Sequence, residues 1–263
     1  MAEASEPDKI MFVNRDRVFY YGLLGARMKP RRPGGITFYL AERGDVRVRL
    51  GSGGWTAAPC IVLPHYCSHQ VAIDCDRVFC LMFEPERLRP EDQAWLLAAG
   101  GAGPAQADWI ARVRAALMPL AAAGGAQRLG TAGFDRLLLG TELPARRLDP
   151  RIDLTLDRFE QDLGEVALSA EECARQVGLS ASRFLHLFKQ ETGASYRNMR
   201  MWKRARRFLE HATHDRNLTE VALDLGYPDS SHFSHSIRRT YGLKPRSIRE
   251  GSRGLRLVGA RCA

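Results

Sequence analysis

The stretch LSAEECARQVG at residues 168–178 decides the fold, because the chain repeats its pattern as LTEVALDLG at residues 218–226. Ala174 and Gly178 in the first copy are each 48 residues from Ala222 and Gly226 in the second, and matching positions after the glycine turn are 49 residues apart. The second copy therefore has one extra residue in its turn. A repeat at a nearly fixed spacing predicts one supersecondary unit that is used twice.

Each copy has the residues that begin and end two short helices. Gly178 and Gly226 fall at the end of the first helix, where a left-handed backbone favours glycine. Two helices joined by a short turn with glycine match the helix-turn-helix, whose second helix enters the major groove of DNA. The predicted N-caps of the four helices are Ser169, Ser180, Thr219 and Asp229.

The second helix of each copy has one apolar and one polar side. At about 100° per residue, Phe184 and Phe188 share a side in the first copy, and Phe233 and Ile237 share a side in the second. Hydroxyls, imidazoles and cations on the opposite sides can bond base edges and phosphates. The alternative is that these are solvated faces of a helical bundle; duplication and basic charge favour DNA. The polar sides carry Ser182, Leu185, His186 and Lys189 in the first copy and Ser231, Ser234, His235 and Arg238 in the second.

Residues 149–249 resemble the DNA-binding domain of the AraC/XylS family of bacterial transcription regulators. The family implies two helix-turn-helix units that are joined by a long helix and read adjacent major-groove segments. Two departures from its pattern, Pro228 in place of a common capping hydroxyl and the apolar Leu185, leave the recognised DNA sequence open. The resemblance rests on matching segments at residues 168–180, 187–193 (LFKQETG), 204–207 (RARR), 226–234 and 241–246 (YGLKPR). By position it assigns base reading to Ser182, Leu185, His186, Ser230, Ser231, Ser234 and His235.

Between the copies, residues 195–211 are predicted to form a long helix that holds the two reading helices about one DNA turn apart, roughly 34 Å. Its other sides are rich in cations, of which some contact phosphates and others belong to a solvated face. Its predicted inward residues are Met199, Trp202, Ala205 and Leu209. The predicted phosphate contacts are Lys189, Lys203, Arg207, Arg238 and Arg239.

Composition is consistent with this interpretation. The chain has 263 residues, enough for two domains with cores of their own. Its net charge is +9, and the excess of cations is larger after residue 150 than before it, which favours a polyanionic partner. No apolar run reaches the roughly 20 residues that cross a bilayer, and the polar N-terminus is unlike a secretory signal. Six cysteines without a Cys-x-x-Cys pair then predict reduced thiols in a bacterial cytoplasm.

Residues 10–83 read as short strands at the spacing of a small barrel or jelly roll. In Val46–Leu50 the alternation predicts that Val46, Val48 and Leu50 face inward, and residues 51–54 then predict a hairpin turn. This region resembles the cupin-type sensor domain that precedes the DNA-binding domain in the family. The expected fold class is therefore α+β, a cupin-like β-barrel with flanking helices followed by an all-α double helix-turn-helix domain.

The segment LPHYCSH at residues 63–69 resembles the second cupin motif and supplies His69. A metal cupin also needs a histidine pair on an earlier strand, and the candidate strand at residues 36–42 has none. His65, Cys67 and His69 alternate, so a soft-metal site stays conceivable, although the prediction is that the protein holds no metal or cofactor. The candidate effector pocket is lined by Phe38, Trp55, His69 and Phe79.

Helices are predicted over residues 85–99, 107–122 and 134–139. In the family such helices mediate dimerisation, which implies a homodimer; alternatively they only cover the barrel. The predicted division is a sensor domain at 1–142, a linker at 143–150, the DNA-binding domain at 151–250 and a flexible tail at 251–263, with residues 1–9 as a disordered arm.

The predicted function is a sequence-specific transcription regulator that binds promoter DNA, works with RNA polymerase and is controlled through its N-terminal domain by a small molecule or a partner protein. Two enzyme classes are the alternatives to this function. A cupin-type metalloenzyme fused to a DNA-binding domain needs about three metal ligands, of which the motif places only His69. A DNA-repair alkyltransferase needs a Pro-Cys-His segment for its nucleophile, and this sequence has no such segment. The prediction is therefore that the protein is not an enzyme, and whether it activates or represses stays open.

Overall fold

The computed structural model describes residues 9–25, 28–73, 75, 77–100, 104–122, 129–161 and 169–258. Several predicted features lie outside these residues, among them the N-terminal arm apart from Lys9, Leu168 and the end of the tail. The described chain contains a sheet-rich N-terminal domain with four helices and a helical C-terminal domain.

Nine strands within the described ranges form two sheets. The larger sheet has the order β6-β3-β8-β2-β1-β9, and the smaller has the order β5-β4-β7. Although β5 and β6 are separated by one residue, β5 pairs with β4 in the small sheet and β6 pairs with β3 in the large one. Among the described strands no pairing joins the two sheets, so the predicted barrel is not closed. The strands are β1 Ile10–Val13, β2 Arg17–Leu23, β3 Ile36–Ala41, β4 Val46–Leu50, β5 Trp55–Ala58, β6 Cys60–Leu63, β7 His69–Ile73, β8 Arg77–Phe83 and β9 Arg256–Val258.

The predicted β4–β5 hairpin is present, with Arg49 opposite Trp55. Val46 and Val48 are buried as expected, but Leu50 is 51% exposed, so its predicted inward position is wrong. The reason is its place beside the turn, where the small sheet ends and no layer covers it.

The large sheet is covered on both faces, because successive side chains of a strand point to opposite sides. Phe12 and Phe38 face the helices of the N-terminal domain, where Phe12 stacks on Phe134 at 4.9 Å and Phe38 packs on Trp109 at 4.9 Å. Met11 and Tyr39, their neighbours in sequence, belong to a second core that continues into the C-terminal domain. The helices that cover this face of the sheet share a core with it. They are α1 Pro90–Ala98, α2 Pro104–Ala115, α3 Leu117–Ala122 and α4 Thr131–Leu139.

The described residues of the C-terminal domain form seven helices, and a 3₁₀ turn at Leu209–His211 follows the longest of them. In the N-terminal domain, a second 3₁₀ turn at Pro85–Arg87 follows β8. The helix that was predicted to begin at residue 85 therefore begins only at Pro90. The seven helices are α5 Pro150–Gln161, α6 Ala170–Gln176, α7 Ala181–Thr192, α8 Tyr196–Phe208, α9 Leu218–Asp224, α10 Ser230–Tyr241 and α11 Pro245–Gly251.

The tail differs from its prediction. Residues 256–258 form strand β9, which pairs in parallel with β1 of the N-terminal domain. Val258 is 3% exposed in the core between the large sheet and the N-terminal helices, so burial of an apolar side chain orders a segment that was expected to be flexible. Residues 259–263 lie outside the described residues.

Candidate nucleic-acid interface

Side-chain caps begin the helices of both repeated units. Ser169 accepts a hydrogen bond from the amide of Glu172 at 3.1 Å, and Ser180 accepts one from Arg183 at 3.4 Å. Asp229 accepts from the amides of both Ser231 and His232 at 2.8 Å. These three predicted caps are confirmed, and each satisfies an amide that the first turn of a helix leaves free.

The fourth predicted cap is wrong by two residues. Asn217, and not Thr219, caps α9, because its side-chain oxygen accepts from the amide of Thr219 at 2.8 Å. The predicted glycine turns are confirmed: Gly178 has a φ of 68° and Gly226 a φ of 72°, in the left-handed region.

In the first unit, α7 buries Phe184 and Phe188 against the ring of Tyr196, with centroid distances of 5.6 Å and 5.2 Å. This packing fixes which side of the helix faces outward. The outward side consists of exposed residues with no partner among the described contacts that would cover them, namely Ser182, Leu185, His186 and Lys189.

In the second unit, α10 buries Phe233 and Ile237, and Phe233 packs on Phe208 of α8 at 5.2 Å. The hydroxyls of Ser236 and Tyr227 also share a buried hydrogen bond of 3.0 Å. Both reading helices are therefore anchored by aromatic cores on one side and open on the other. The exposed side of α10 carries Ser230, Ser231, Ser234, His235, Arg238 and Arg239.

Helix α8 joins the units, and its four predicted inward residues are all buried. Three of its cations, Lys203, Arg204 and Arg206, are buried and not exposed as the sequence suggests. Lys203 is 2% exposed, and its ammonium contacts Glu84, Glu86 at 2.9 Å and Glu160 at 3.1 Å. Burial alone would lower the pKa of Lys203, but the charges of these carboxylates raise it above its ordinary value. Lys203 is therefore withdrawn as a phosphate contact.

The same cluster joins the two domains. Glu84 lies at the end of β8, and it accepts a hydrogen bond from the indole nitrogen of Trp202 at 3.0 Å and contacts Arg206 at 3.3 Å. Arg206 also donates to the backbone oxygen of Asn14. Glu84 and Glu86 were not predicted from the sequence. The residues next to Glu84 give no sign that its partner Lys203 is 119 residues away in the chain.

Arg207 lies at the edge of this cluster. Its guanidinium donates to the backbone oxygen of Glu160 at 2.7 Å, and its side chain keeps 27% of its surface exposed. It is the one predicted phosphate contact on α8 that retains access to solvent.

The predicted effector residues do not line one pocket. Phe38 and Phe79 are packed in the core beneath the N-terminal helices, whereas His69 lies on the other side of the large sheet. Trp55 is 45% exposed and lies against the guanidinium of Arg49 at 5.1 Å. The prediction is wrong because Phe38 and Phe79 lie in the large sheet, on its face toward the N-terminal helices, whereas Trp55 and His69 belong to the small sheet.

Both ring nitrogens of His69 have hydrogen-bond partners: Nε2 contacts the hydroxyl of Tyr39 at 2.8 Å and Nδ1 the carbonyl of Cys67 at 3.0 Å. Burial and the charge of Arg31 lower the pKa of His69 to about 4, so the imidazole is neutral. Within the described ranges, no three His, Cys, Asp or Glu side chains are grouped as metal ligands.

A cavity that the sequence did not reveal lies between the domains, with a volume of about 450 Å³. Its wall is mostly apolar and includes Met11, Val18 and Met82 of the large sheet. Leu209, Tyr241 and Ile248 of the C-terminal domain form the opposite wall. Arg31 also lines it and is 5% exposed, and its Nε has no hydrogen-bond partner among the described residues.

These features define a protein with two tandem helix-turn-helix units, each of which presents the polar side of its second helix. Comparison with known proteins agrees. A family model described as a helix-turn-helix domain matches residues 173–251. The transcriptional activator RhaS of Escherichia fergusonii is 36% identical over 118 residues, which are 44% of this chain and 40% of RhaS. RhaS of Klebsiella pneumoniae is 34% identical over 108 residues, which are 40% of this chain and 36% of that protein. This chain thus spans about two-fifths of the length of the curated relatives it matches.

This C-terminal domain is similar to the DNA-binding domain of AraC/XylS-family regulators such as RhaS, and the similarity in sequence covers that domain alone. The wider two-domain fold is similar to ToxT of Vibrio cholerae, with a TM-score of 0.56, 8% identity and coverage of 90% of this chain and 98% of ToxT. A second ToxT structure, bound to an unsaturated fatty acid, has a TM-score of 0.50 at 8% identity and covers 90% of this chain and 96% of that one. Such identities show likeness of fold only. Among the residues that the structure describes, no helix is both long and apolar enough to cross a bilayer.

Proposed function

We propose that the protein is a transcription regulator that binds promoter DNA through α7 and α10. The observation that carries the proposal is that both helices are capped, anchored by aromatic cores and open on the side with hydroxyls and imidazoles. Such groups bond base edges in the major groove. Base reading is assigned to Ser182, Leu185, His186, Ser230, Ser231, Ser234 and His235.

Cations around these helices supply the phosphate contacts. Lys189, Arg238 and Arg239 are exposed on the reading helices, and Arg207 of α8 is half-buried. Neutralising phosphates releases counterions, so binding weakens steeply with salt. The relatives that the chain matches are named activators, and we assign the same role here, with RNA polymerase as the partner at the promoter.

Selection from a pool of random duplexes tests the proposal. The full chain should enrich a sequence with two conserved elements about one helical turn apart, because each unit reads its own groove segment. A pool that shows no enrichment after repeated rounds at physiological salt would contradict DNA-specific regulation.

The interdomain cavity is the site that we assign to a small-molecule effector. Its apolar walls come from both domains, so an occupant changes how they dock, and Arg31 offers a buried cation for an acidic head. The fatty-acid complex of ToxT supports an apolar acid as the ligand class. Binding of the fluorescent fatty acid cis-parinarate to the wild-type protein, and loss of that binding in a Val18→Asp variant that still folds, are expected. Equal binding to both would contradict this site.

Helices α1–α4 either form a dimer surface or only cover the sheet. Sedimentation of the full chain distinguishes the two, because it measures whether the protein is a dimer. No contact of the described residues favours the metalloenzyme alternative.

A further inference from the structure

Strand β9 follows the DNA-binding domain in the chain but completes the sheet of the N-terminal domain. It pairs in parallel with β1, with Met11 opposite Leu257 and Phe12 opposite Val258. Val258 is buried in the same core as Phe12. The C-terminal domain is therefore held to the N-terminal domain at both of its ends, through the segment before α5 and through β9.

The segment that leads to β9 also forms part of the interdomain cavity. Gly251, Ser252 and Leu255 lie in its wall together with Met11 of β1. Leu255 is buried in the core that spans the two domains, and Leu257 packs against the same core. Separation of β9 from β1 would therefore remove a part of the wall and would open the cavity.

The pairing has features of an element that separates without unfolding either domain. It is three residues long and parallel, and parallel pairing is slightly weaker than antiparallel. Gly254 precedes it with a φ of 72°, a left-handed conformation that favours glycine, between α11 and β9. Lys9 holds the segment from the side by donating to the carbonyls of Gly251 at 3.0 Å and Arg253 at 3.1 Å. Short, exposed edge elements open locally at a small fraction of the global stability.

We propose that β9 is a latch: paired with β1 it closes the interdomain cavity, and its release opens the cavity and removes one of the connections that hold the DNA-binding domain to the N-terminal domain. The proposal rests on the proposed function, because it takes the cavity to be the effector site. Ligand occupancy and DNA binding are then coupled through one strand, and the coupling is reciprocal, as linkage requires.

The latch is tested in both directions with cis-parinarate as the probe. A chain with Met11→Cys and Leu257→Cys holds the latch shut when oxidised, because these residues are opposite each other in register. Release of the probe should be about tenfold slower in the oxidised than in the reduced form. Wild-type protein treated with the same oxidant is the control, because the chain has six cysteines of its own.

Val258→Asp opens the latch by placing a charge in the core, and Arg256→Ala is the matched control, because that side chain is exposed. In Val258→Asp, probe release should be about tenfold faster. The ratio of DNA Kd values with and without probe should fall to about one, since coupling is the difference between two states. Arg256→Ala should behave as wild type.

Equal release rates in the oxidised and reduced double-cysteine chain would overturn the latch, even if Val258→Asp fails to fold. Wild-type protein that takes up no cis-parinarate would also overturn it while leaving DNA binding intact. Wild-type protein that takes up the probe but binds no DNA would overturn the proposed function instead, and the release rates would still judge the latch.

Discussion

The two helix-turn-helix units are built alike but are attached to the rest of the molecule differently. The first unit is held mainly by side chains: Glu191 of α7 accepts from the amide of Asp149 at 3.2 Å and contacts Arg146 at 3.8 Å. The second unit is held by the backbone, where Lys29 donates to the carbonyl of Gly242 at 3.0 Å. The same kind of bond joins the amide of Arg32 to the carbonyl of Arg239 at 2.9 Å.

The contacts that form a helix-turn-helix unit are therefore distinct from the contacts that connect the unit to the N-terminal domain. Caps, glycine turns and an aromatic anchor suffice to form each unit. The backbone bonds at the end of α10 add a direct connection to the N-terminal domain, and β9 adds a second one. We therefore expect a change in the N-terminal domain to reach the second unit first.

The largest effect is expected where a cation holds the domains and does not touch DNA. Lys203→Met removes one partner of a buried ion cluster, so the free energy of unfolding should fall by about 3–5 kcal/mol. The matched change, Lys189→Met on the exposed side of α7, should leave stability unchanged and reduce the slope of log K against log salt by about 0.9. Urea unfolding and a salt series measure both. A reduced salt slope in Lys203→Met with unchanged stability would return that residue to the DNA interface.

The next comparison uses the glycine that ends each reading helix. Gly193 and Gly242 have φ values of 71° and 74°, so alanine costs about 1–2 kcal/mol of backbone strain at either position. A Cβ at Gly242 would also lie 2.5 Å from the carbonyl oxygen of Lys29, whereas at Gly193 the nearest atom is 3.7 Å away in His65. Gly242→Ala should therefore destabilise by about 2–4 kcal/mol, since overpacking adds to the strain. Equal losses in urea unfolding would mean that the second unit is not docked in solution.

The imidazoles of the two units should differ in sequence preference and not in general affinity. His186→Ala and His235→Ala should each cost about 1–3 kcal/mol on the selected site and much less on random duplexes. Each loss should map to its own half of the site. Fluorescence anisotropy with half-site mutants measures this, and losses of equal size on random DNA would assign the imidazoles to the backbone.

The smallest effect concerns the caps. Asp229 caps α10 with a carboxylate whose pKa is held below its ordinary value of 3.8, mainly by the amide of His232, whereas Ser180 caps α7 with a neutral hydroxyl. Because the folded pKa is the lower one, the cap is fully present above pH 3.8 and is lost as the pH falls through the folded value. Amide exchange of Ser231 and His232 should therefore speed up in this acidic window while that of Arg183 does not. Asp229→Ser should abolish the difference; a persisting difference would implicate another group.

Local features of the site were predictable from the sequence and distant ones were not. Ser169, Ser180, Asp229 and the glycine turns follow from the nearest few residues, so they were found; Thr219 was misplaced because Asn217 caps equally well from two residues earlier. The polar sides of α7 and α10 followed from helical periodicity.

The predictions from the sequence were wrong where the role of a residue depends on a part of the chain that is far away in sequence. Its position on α8 predicts that Lys203 is a solvated cation, but in the structure Lys203 contacts Glu84 of the other domain. Phe38 and His69 were predicted to line one pocket, but Phe38 and its neighbour Tyr39 point to opposite faces of the large sheet, and His69 bonds Tyr39. Strand β9 is three residues whose partner is at the other end of the chain.

Hydroxyl-radical footprinting of the full chain on its selected duplex tests the central claim most directly. Two reading helices that grip one side of the duplex predict two protected stretches about one helical turn, 10–10.5 base pairs, apart on the same face. His186→Ala should weaken one stretch and His235→Ala the other. A single protected stretch that both variants weaken alike would contradict recognition by two tandem units.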